Sequence, residues 1–255
     1  FEGNADNILF GKNPRLKDEF NRLFNAIFSN PEDCKKIIRL LAKKHVGFTR
    51  EEIAKETGLP FGGGLTDTLN ALVESDFIQR YRPYNVSGKV SFYKLIDNFS
   101  LFWLKYVEPN TEDINFMTDN MTSNIMRVWR GVAFEEVCWQ HIGQIKRALG
   151  ISGVSSSISA WSVKGNDNKE GVQIDLLIIR NDNVVNLCEM KFAGDIYSID
   201  KEEDAKIRNR IQTLINTLSP KQSVHLTMIT TYGVSHTMYG GRVQQQVILD
   251  DLFQS

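Results

Sequence analysis

The first third of the chain carries apolar residues at helical spacing. Stripes at 16–27 and 37–41 repeat every three to four positions and predict two amphipathic helices. Thr49 and Glu52 then form a capping-box pattern, in which a hydroxyl and a carboxylate satisfy backbone amides at a helix start. A glycine triplet at 62–64 precedes another helical stripe. This region is therefore predicted to be a set of short helices.

The pattern changes to alternation after these helices. Segments 77–81 and 90–95 alternate apolar and polar residues, with turn residues between them, and predict a hairpin. Helix, turn, helix and hairpin in this order are typical of a winged helix. An aromatic-rich short helix at 99–106 is expected to pack on this domain, and the polar segment 108–125 is expected to be a linker. The sequence thus predicts a winged-helix domain at 1–107.

The remaining part, 126–255, alternates helices with strands. A long helix is predicted at 126–149 and a polar helix at 201–218. Strands are predicted at 158–163, 172–179, 184–192, 224–231 and 244–249. Strands with helices on either side in the sequence favour an α/β domain around a mixed central sheet. The whole chain is therefore predicted to combine a helical N-terminal domain with an α/β C-terminal domain.

Composition limits the class of protein. No apolar run approaches the roughly 20 residues that span a bilayer, so we expect a cytoplasmic protein without a membrane partner. The formal net charge is −1, and any contact with nucleic acid must therefore come from local basic patches. Cys34, Cys138 and Cys188 lie far apart in apolar surroundings. We expect them to be reduced core residues, since cysteine zinc sites need closely spaced ligands.

The candidate chemistry lies on two neighbouring predicted strands. Asp175 precedes a turn-forming segment at 180–183, and Glu189 and Lys191 follow it. Side chains alternate along a strand, so Glu189 and Lys191 share a face, and a hairpin can place Asp175 beside them. Charges on an otherwise apolar strand are costly unless they have partners. We therefore expect these groups to pair with each other, with a metal ion, or with both.

The long predicted helix adds Glu135 to this set. Glu135 continues an apolar stripe that runs through Cys138 and Ile145, whereas Glu136 is expected on the water-facing side. A carboxylate on an apolar stripe is the kind of local inconsistency found at functional sites.

These four residues suit metal-assisted hydrolysis of a phosphodiester. Asp175 and Glu189 are predicted to hold Mg²⁺ or Mn²⁺ through oxygen ligands, and Glu135 is expected to complete the metal site or to bind a water molecule of the metal's shell. Lys191 is predicted to orient or activate the attacking water and to stabilise charge on the phosphate. The alternative is a structural ion-pair cluster at a sheet end, because a Glu-x-Lys triplet alone often occurs by chance.

The pattern Ile174-Asp175, thirteen residues, Glu189-Met190-Lys191, preceded by a segment ending at Glu135, resembles the PD-(D/E)XK nuclease superfamily. More closely, the chain is similar to the C-terminal region of archaeal-type ATPases of the AAA superfamily. The matching segments include 16–20, 49–53, 129–131 and 173–177. The resemblance implies a winged helix followed by a restriction-endonuclease-like domain at 126–255, and an ATPase domain as partner within the same polypeptide.

The chain departs from that resemblance in two respects. Ile174 stands where the superfamily name records a proline, a change that leaves the carboxylate of Asp175 in place. No G-x-x-x-x-G-K-[ST] loop occurs in the sequence, so this chain cannot hold ATP by that mechanism. If the resemblance is right, the ATP-binding domain is expected upstream of Phe1.

The predicted winged helix offers few groups for DNA. Arg80, Arg82 and Lys89 on the hairpin are candidates for phosphate contacts, and Asn70 on the second helix of the turn is a candidate for base contacts. That helix has no Lys or Arg and carries Asp67, which argues against strong reading of the major groove. An intramolecular role against the ATPase domain is an equal alternative for the winged helix.

Two functions remain open from the sequence. One is a metal-dependent deoxyribonuclease module coupled to an ATPase. The other is a catalytically silent nuclease-like fold that serves the ATPase domain as a platform for DNA or another partner. A transcription regulator is disfavoured, because the recognition helix bears acidic residues.

Overall fold

The computed structural model describes residues 2–11, 13–84, 90–163 and 171–254. Its architecture is mixed α+β, with a three-stranded and a five-stranded sheet. The chain divides into two compact units. The first comprises Phe1–Arg80 and Ser91–Glu136, and the second comprises Tyr81–Val90 and Val137–Ser255. Within the described ranges, no helix combines the length and apolar character that crossing a bilayer requires.

Short helices around one small sheet build the first unit. In chain order its elements are α1 (Glu2–Leu9), α2 (Glu19–Ile27), α3 (Pro31–Leu41), β1 (Phe48–Thr49), α4 (Arg50–Thr57), α5 (Gly63–Glu74), β2 (Ile78–Tyr81), β3 (Phe92–Leu95), α6 (Asn98–Phe102), α7 (Phe116–Asn120) and α8 (Asn124–Gln140). β3 lies between β1 and β2. The predicted capping box is confirmed, since the amide of Glu52 donates to Thr49 Oγ1 at 3.1 Å and the amide of Thr49 donates to Glu52 Oε2 at 2.7 Å.

The amphipathic pattern explains the core of the first unit. Phe20 and Phe24 of α2, Ile37 of α3 and Leu69 of α5 are buried together, and the rings of Phe24 and Phe77 lie 5.0 Å apart. Burial of such side chains drives the packing of helices that would be marginal in isolation.

A five-stranded mixed sheet organises the second unit. Its elements are α9 (Ile142–Ala148), β4 (Ser156–Val163), β5 (Val172–Arg180), β6 (Val184–Lys191), α10 (Lys201–Ile215), β7 (Ser223–Thr230) and β8 (Gln245–Ile248). The strand order is β4-β5-β6-β7-β8, antiparallel from β4 to β6 and parallel from β6 to β8. The predicted strands and the polar helix are thus confirmed, and so is the mixed sheet.

Helix α10 covers one face of this sheet. Its Ile207 and Leu214 are buried in one apolar cluster with Val185 and Leu187 of β6 and Leu226 of β7. Since side chains alternate along β6, Glu189 and Lys191 point to the same face as Val185 and Leu187. The face that carries the candidate residues is therefore the face that α10 covers.

The two units differ from the predicted division into 1–107, 108–125 and 126–255. The segment predicted as a linker contains α7, whose Phe116 and Met117 are buried in the core of the first unit. The segment Tyr81–Val90 belongs to the second unit, where the rings of Tyr84 and Trp161 lie 6.3 Å apart. The sequence pattern of a hairpin does not disclose which core its side chains join.

The helix predicted at 126–149 is two helices, with a break at His141 between α8 and α9. The expectation that Glu136 faces water is wrong, because its side chain is fully buried. Helix α8 carries two buried stripes. One includes Met126 and packs in the first unit, and the other includes Cys138. Glu136 lies on the first stripe. The expectation assumed that only the stripe with Cys138 is buried, and it therefore assigned Glu136 to the water-facing side.

Candidate functional site

The β5–β6 hairpin carries one candidate carboxylate on each arm. Leu176 pairs with Cys188 and Leu177 with Leu187 in an antiparallel register. Asp175 and Glu189 lie one residue beyond the Leu176–Cys188 pair on their strands, next to a shift in the register of β5 with β4. Asp175 is near enough to raise the pKa of Glu189, so the two carboxylates lie within electrostatic range of each other.

Alternating charges connect β6 with α10 in this site. Arg210 Nη1 lies 3.2 Å from Glu189 Oε2 and 3.8 Å from Glu203 Oε1. Glu203 Oε1 in turn lies 2.8 Å from Lys191 Nζ. Glu189 is only 6% exposed, so its charge depends on these neighbours rather than on water.

Burial sets the protonation of Glu189. Loss of hydration raises the pKa of Glu189 to about 7, against the lowering effects of Arg210 and Lys191 and with smaller raising effects of Asp175 and Glu203. A proton and a cation therefore compete for this carboxylate near neutral pH.

Lys191 is held as an ammonium group. Burial alone would lower the pKa of Lys191, but the hydrogen bond to Glu203 and the charges of Glu189 and Glu203 outweigh burial and raise it. A permanently charged Lys191 can stabilise negative charge, whereas it is a poor acceptor for a proton from water.

Asp175 is oriented by a side chain of its own strand. Gln173 Nε2 donates to Asp175 Oδ1 at 2.6 Å, and Arg210 Nε donates to the backbone oxygen of Gln173 at 3.2 Å. Arg210 therefore touches both arms of the hairpin, Glu189 directly and Asp175 through Gln173.

The donor set fits a hard divalent cation. Carboxylate oxygens are the ligands that Mg²⁺ and Mn²⁺ prefer, and Asp175 and Glu189 offer two of them from neighbouring strands. Asp175 is half-buried, whereas Glu189 is buried. Asp175 and Glu189 are the residues that would hold the ion.

Sequence reasoning missed Glu203 and Arg210, although a signal existed. Positions 203, 207, 210 and 214 follow a spacing of four, three and four, which is one face of a helix. Ile207 and Leu214 are buried on that face. Glu135 was chosen because a charged residue continues an apolar helical stripe, and the same criterion applies to Glu203 and Arg210.

Glu135 belongs to the first unit, where its carboxylate oxygen Oε2 lies 2.8 Å from His45 Nε2. The neighbouring Glu136 lies 3.2 Å from Lys94 Nζ and 3.4 Å from His45 Nδ1 through its Oε1. Burial raises the pKa of Glu136, while Lys94 and His45 lower it in part. These four residues form a cluster of buried and half-buried charges within the first unit.

The candidate DNA-binding residues differ in accessibility. Arg80 and Arg82 are exposed, whereas Asn70 is half-buried and Lys89 lies outside the described residues. On α5 the hydroxyl of Thr68 donates to the carbonyl of Gly64 at 2.9 Å. Because the Thr68 hydroxyl already donates its hydrogen to its own helix, it is less available to donate to a base edge. This agrees with the lack of Lys and Arg on the helix.

Comparison with known proteins assigns no activity to the chain. No family model matches it. Over 173 residues it is 27% identical to the uncharacterized protein MJECL04 of Methanocaldococcus jannaschii, a match that covers 66% of this chain and 37% of that protein. A crystal structure described as a protein of unknown function, AF1548, has a TM-score of 0.30 at 17% identity and covers 44% of this chain and 56% of its own. The chain thus spans well under two thirds of each of these proteins.

Proposed function

We propose that the second unit is a metal-dependent nuclease module of the PD-(D/E)XK type that hydrolyses DNA. The observation that carries the proposal is that the antiparallel neighbours β5 and β6 carry Asp175 and Glu189 within electrostatic range, with Lys191 two residues further on the face of Glu189. Two carboxylates and an ammonium group on neighbouring strands of a sheet are the groups that metal-assisted phosphodiester hydrolysis needs.

Each residue has a role that follows from its contacts. Asp175 and Glu189 would hold the divalent cation, which would supply a Lewis acid that lowers the pKa of a water molecule. Lys191, kept charged by Glu203 at 2.8 Å, faces the scissile phosphate and stabilises its developing charge. Gln173 fixes the orientation of the Asp175 carboxylate through its 2.6 Å hydrogen bond.

In this proposal the chain is the DNA-processing module of an AAA-type ATPase, with ATP bound in a domain outside it. The first unit supports the proposal by its order of elements, in which α3, β1, α4, α5, β2 and β3 follow the order of a winged helix. The exposed Arg80 and Arg82 would approach a phosphate backbone, while α5 offers no cationic side chain to the major groove.

A second function is favoured by one specific observation. Glu189 already has Arg210 as a partner and Lys191 already has Glu203, so the cluster satisfies its charges without a metal ion. A catalytically silent fold with such a cluster would serve as a platform for DNA or for the ATPase domain.

A cleavage assay decides between the two functions. We expect the purified chain to nick supercoiled DNA with Mg²⁺ or Mn²⁺, and Asp175→Asn and Lys191→Ala to lower the rate by about 100-fold or more. Calorimetric titration of Mn²⁺ should show binding to the wild type that Asp175→Asn loses.

Asp182→Asn is the matched control for this assay. Asp182 lies in the turn of the same hairpin, where its carboxylate pairs with Arg180, and its side chain is exposed. The control should cleave DNA like the wild type. Absence of cleavage with either metal ion, together with intact binding of DNA, would establish the silent platform instead.

A further inference from the structure

A polar groove continues from the Asp175–Glu189 pair along α10. It has a volume of about 500 Å³ and lies between residues 171–173 at the start of β5 and one side of α10. Gln173 and Arg210 line it, and these are the two residues that contact Asp175 and Glu189. The groove and the carboxylate pair are therefore contiguous.

The groove presents donors on its α10 side. Lys206 and Asn209 are exposed and Arg210 is partly exposed, so two cations and an amide face the same space. The exposed Glu202 adds one carboxylate to the lining, and Arg210, the second cation there, also pairs with Glu189. Ala205 also lines the groove, and its small side chain leaves space on the helix surface beside these donors.

We propose that this groove binds a second phosphate of the substrate strand, next to the phosphate that faces Lys191. Lys206 follows Glu203, the partner of Lys191, by three residues or about 4.5 Å along the axis of α10, so a phosphate at Lys206 would lie beside one at Lys191. Lys206 and Asn209 hold this phosphate, and Arg210 joins the groove to Glu189. The inference rests on the proposed function, since it places the strand that the carboxylate pair would cleave.

Charge supports this path for the strand. The chain as a whole has a net charge of −1, and Asp175, Glu189 and Glu203 would repel a phosphodiester. A polynucleotide can approach these acids only where cations offset them, and Lys206 adds a third cation to Lys191 and Arg210, which already pair with Glu203 and Glu189.

Binding of DNA, measured separately from cleavage, tests the inference. Fluorescence anisotropy of a labelled single-stranded DNA would be recorded with Ca²⁺ over a range of salt concentrations for the wild type, Lys206→Ala and Lys206→Glu. We expect Lys206→Ala to weaken binding roughly fivefold at low salt and to reduce the salt slope by about 0.7, as for the loss of one phosphate contact. Lys206→Glu should weaken binding further.

Lys201→Ala is the matched control, because Lys201 is an exposed lysine of the same helix that does not line the groove. Equal affinities of the Lys206→Ala and Lys201→Ala proteins, or no binding of DNA by the wild type, would overturn the inference. Inorganic phosphate, added at constant ionic strength, should not displace the labelled DNA. Strong competition would mean that the groove takes a free phosphate.

The outcome is separable from that of the proposed function. If the Lys206→Ala protein cleaves DNA and binds it as tightly as the wild type, the nuclease proposal stands and the groove proposal is rejected. If the wild type cleaves no DNA but Lys206→Ala weakens its binding of DNA, the groove proposal stands and the nuclease proposal is rejected.

Discussion

At the scale of single residues, Glu189 is the group on which the chemistry of the site depends. Its carboxylate is buried, and its pKa of about 7 means that it is partly protonated at neutral pH. A metal ion binds the deprotonated form, so binding and proton release are linked. Arg210, at 3.2 Å, also stabilises the deprotonated form of Glu189. Arg210 therefore favours the form that binds a metal ion, but it competes with the metal ion for the carboxylate.

This linkage predicts how stability and metal binding depend on pH. The folded protein holds the proton of Glu189 more tightly than the unfolded chain, so stability falls as pH rises from about 4.5 to about 7. The loss amounts to about 3 kcal/mol when complete. We expect Glu189→Gln to remove this pH dependence, and Mn²⁺ affinity of the wild type to rise between pH 6 and about 8.

Chemical denaturation of the metal-free protein near pH 5 and pH 8 measures the effect. The wild type should lose more stability than Glu189→Gln over this interval, and added Mn²⁺ should restore stability to the wild type alone. Parallel pH profiles of the two proteins would show that Glu189 titrates near its ordinary pKa.

The sequence predicted some of these charges and missed others for a physical reason. Asp175, Glu189 and Lys191 stand out because they interrupt apolar strands, where alternation assigns each side chain to a face. Glu203 and Arg210 lie in a helix rich in polar residues, where a charge is expected and attracts no notice. Their burial depends on contacts with β6 that no local pattern encodes.

At the scale of elements, the turn between β5 and β6 sets the register of the site. Asn183 has a φ of +67°, in the left-handed region, and ends a loop of three residues between the strands. Asparagine tolerates this conformation, whereas β-branched residues are strained there. We expect Asn183→Val to lower the free energy of unfolding by about 1–2 kcal/mol.

Asn183→Gly is the matched variant for this turn, since glycine adopts a positive φ without strain. Urea denaturation should show it within about 0.5 kcal/mol of the wild type. An Asn183→Val protein as stable as the glycine variant would indicate that the turn changes conformation freely, and the turn would then not fix the register of Asp175 and Glu189.

Helix boundaries were less accessible to sequence reasoning than strands. The strands were recognisable because apolar runs are short and bounded by turn residues. The residue at the break, His141, is neither proline nor glycine, so the sequence gives no signal that the helix ends there. Helix α7 lies in a polar segment, where its buried residues Phe116 and Met117 are too few to form a recognisable helical pattern. In both cases long-range packing, rather than local pattern, determines the structure.

At the scale of the whole molecule, the second unit is discontinuous in sequence. Its segment Tyr81–Val90 is separated from Val137–Ser255 by more than forty residues of the first unit. Backbone contacts attach the described part of this segment to β4. The amide of Tyr84 donates to the carbonyl of Ala160 at 3.2 Å, and Ser159 Oγ donates to the carbonyl of Arg82 at 2.7 Å. Sequence patterns assigned the segment to a single hairpin, because they contain no information on such contacts.

This attachment predicts that Tyr84 stabilises the second unit, although it lies outside that unit's main segment. Its ring packs against Trp161, and a hydrogen bond with Thr217 lowers the pKa of its hydroxyl while burial raises it more. We expect Tyr84→Ala to lower the stability of the second unit by about 1–3 kcal/mol and to speed hydrogen exchange in β4, since both the ring contact and its support of the backbone contacts are lost. Tyr84→Phe keeps the ring and removes only the hydroxyl, so it should cost less than about 1 kcal/mol. Hydrogen-exchange mass spectrometry of 156–163 in the full chain measures both, and unchanged exchange in the alanine variant would mean that β4 is held by β5 alone.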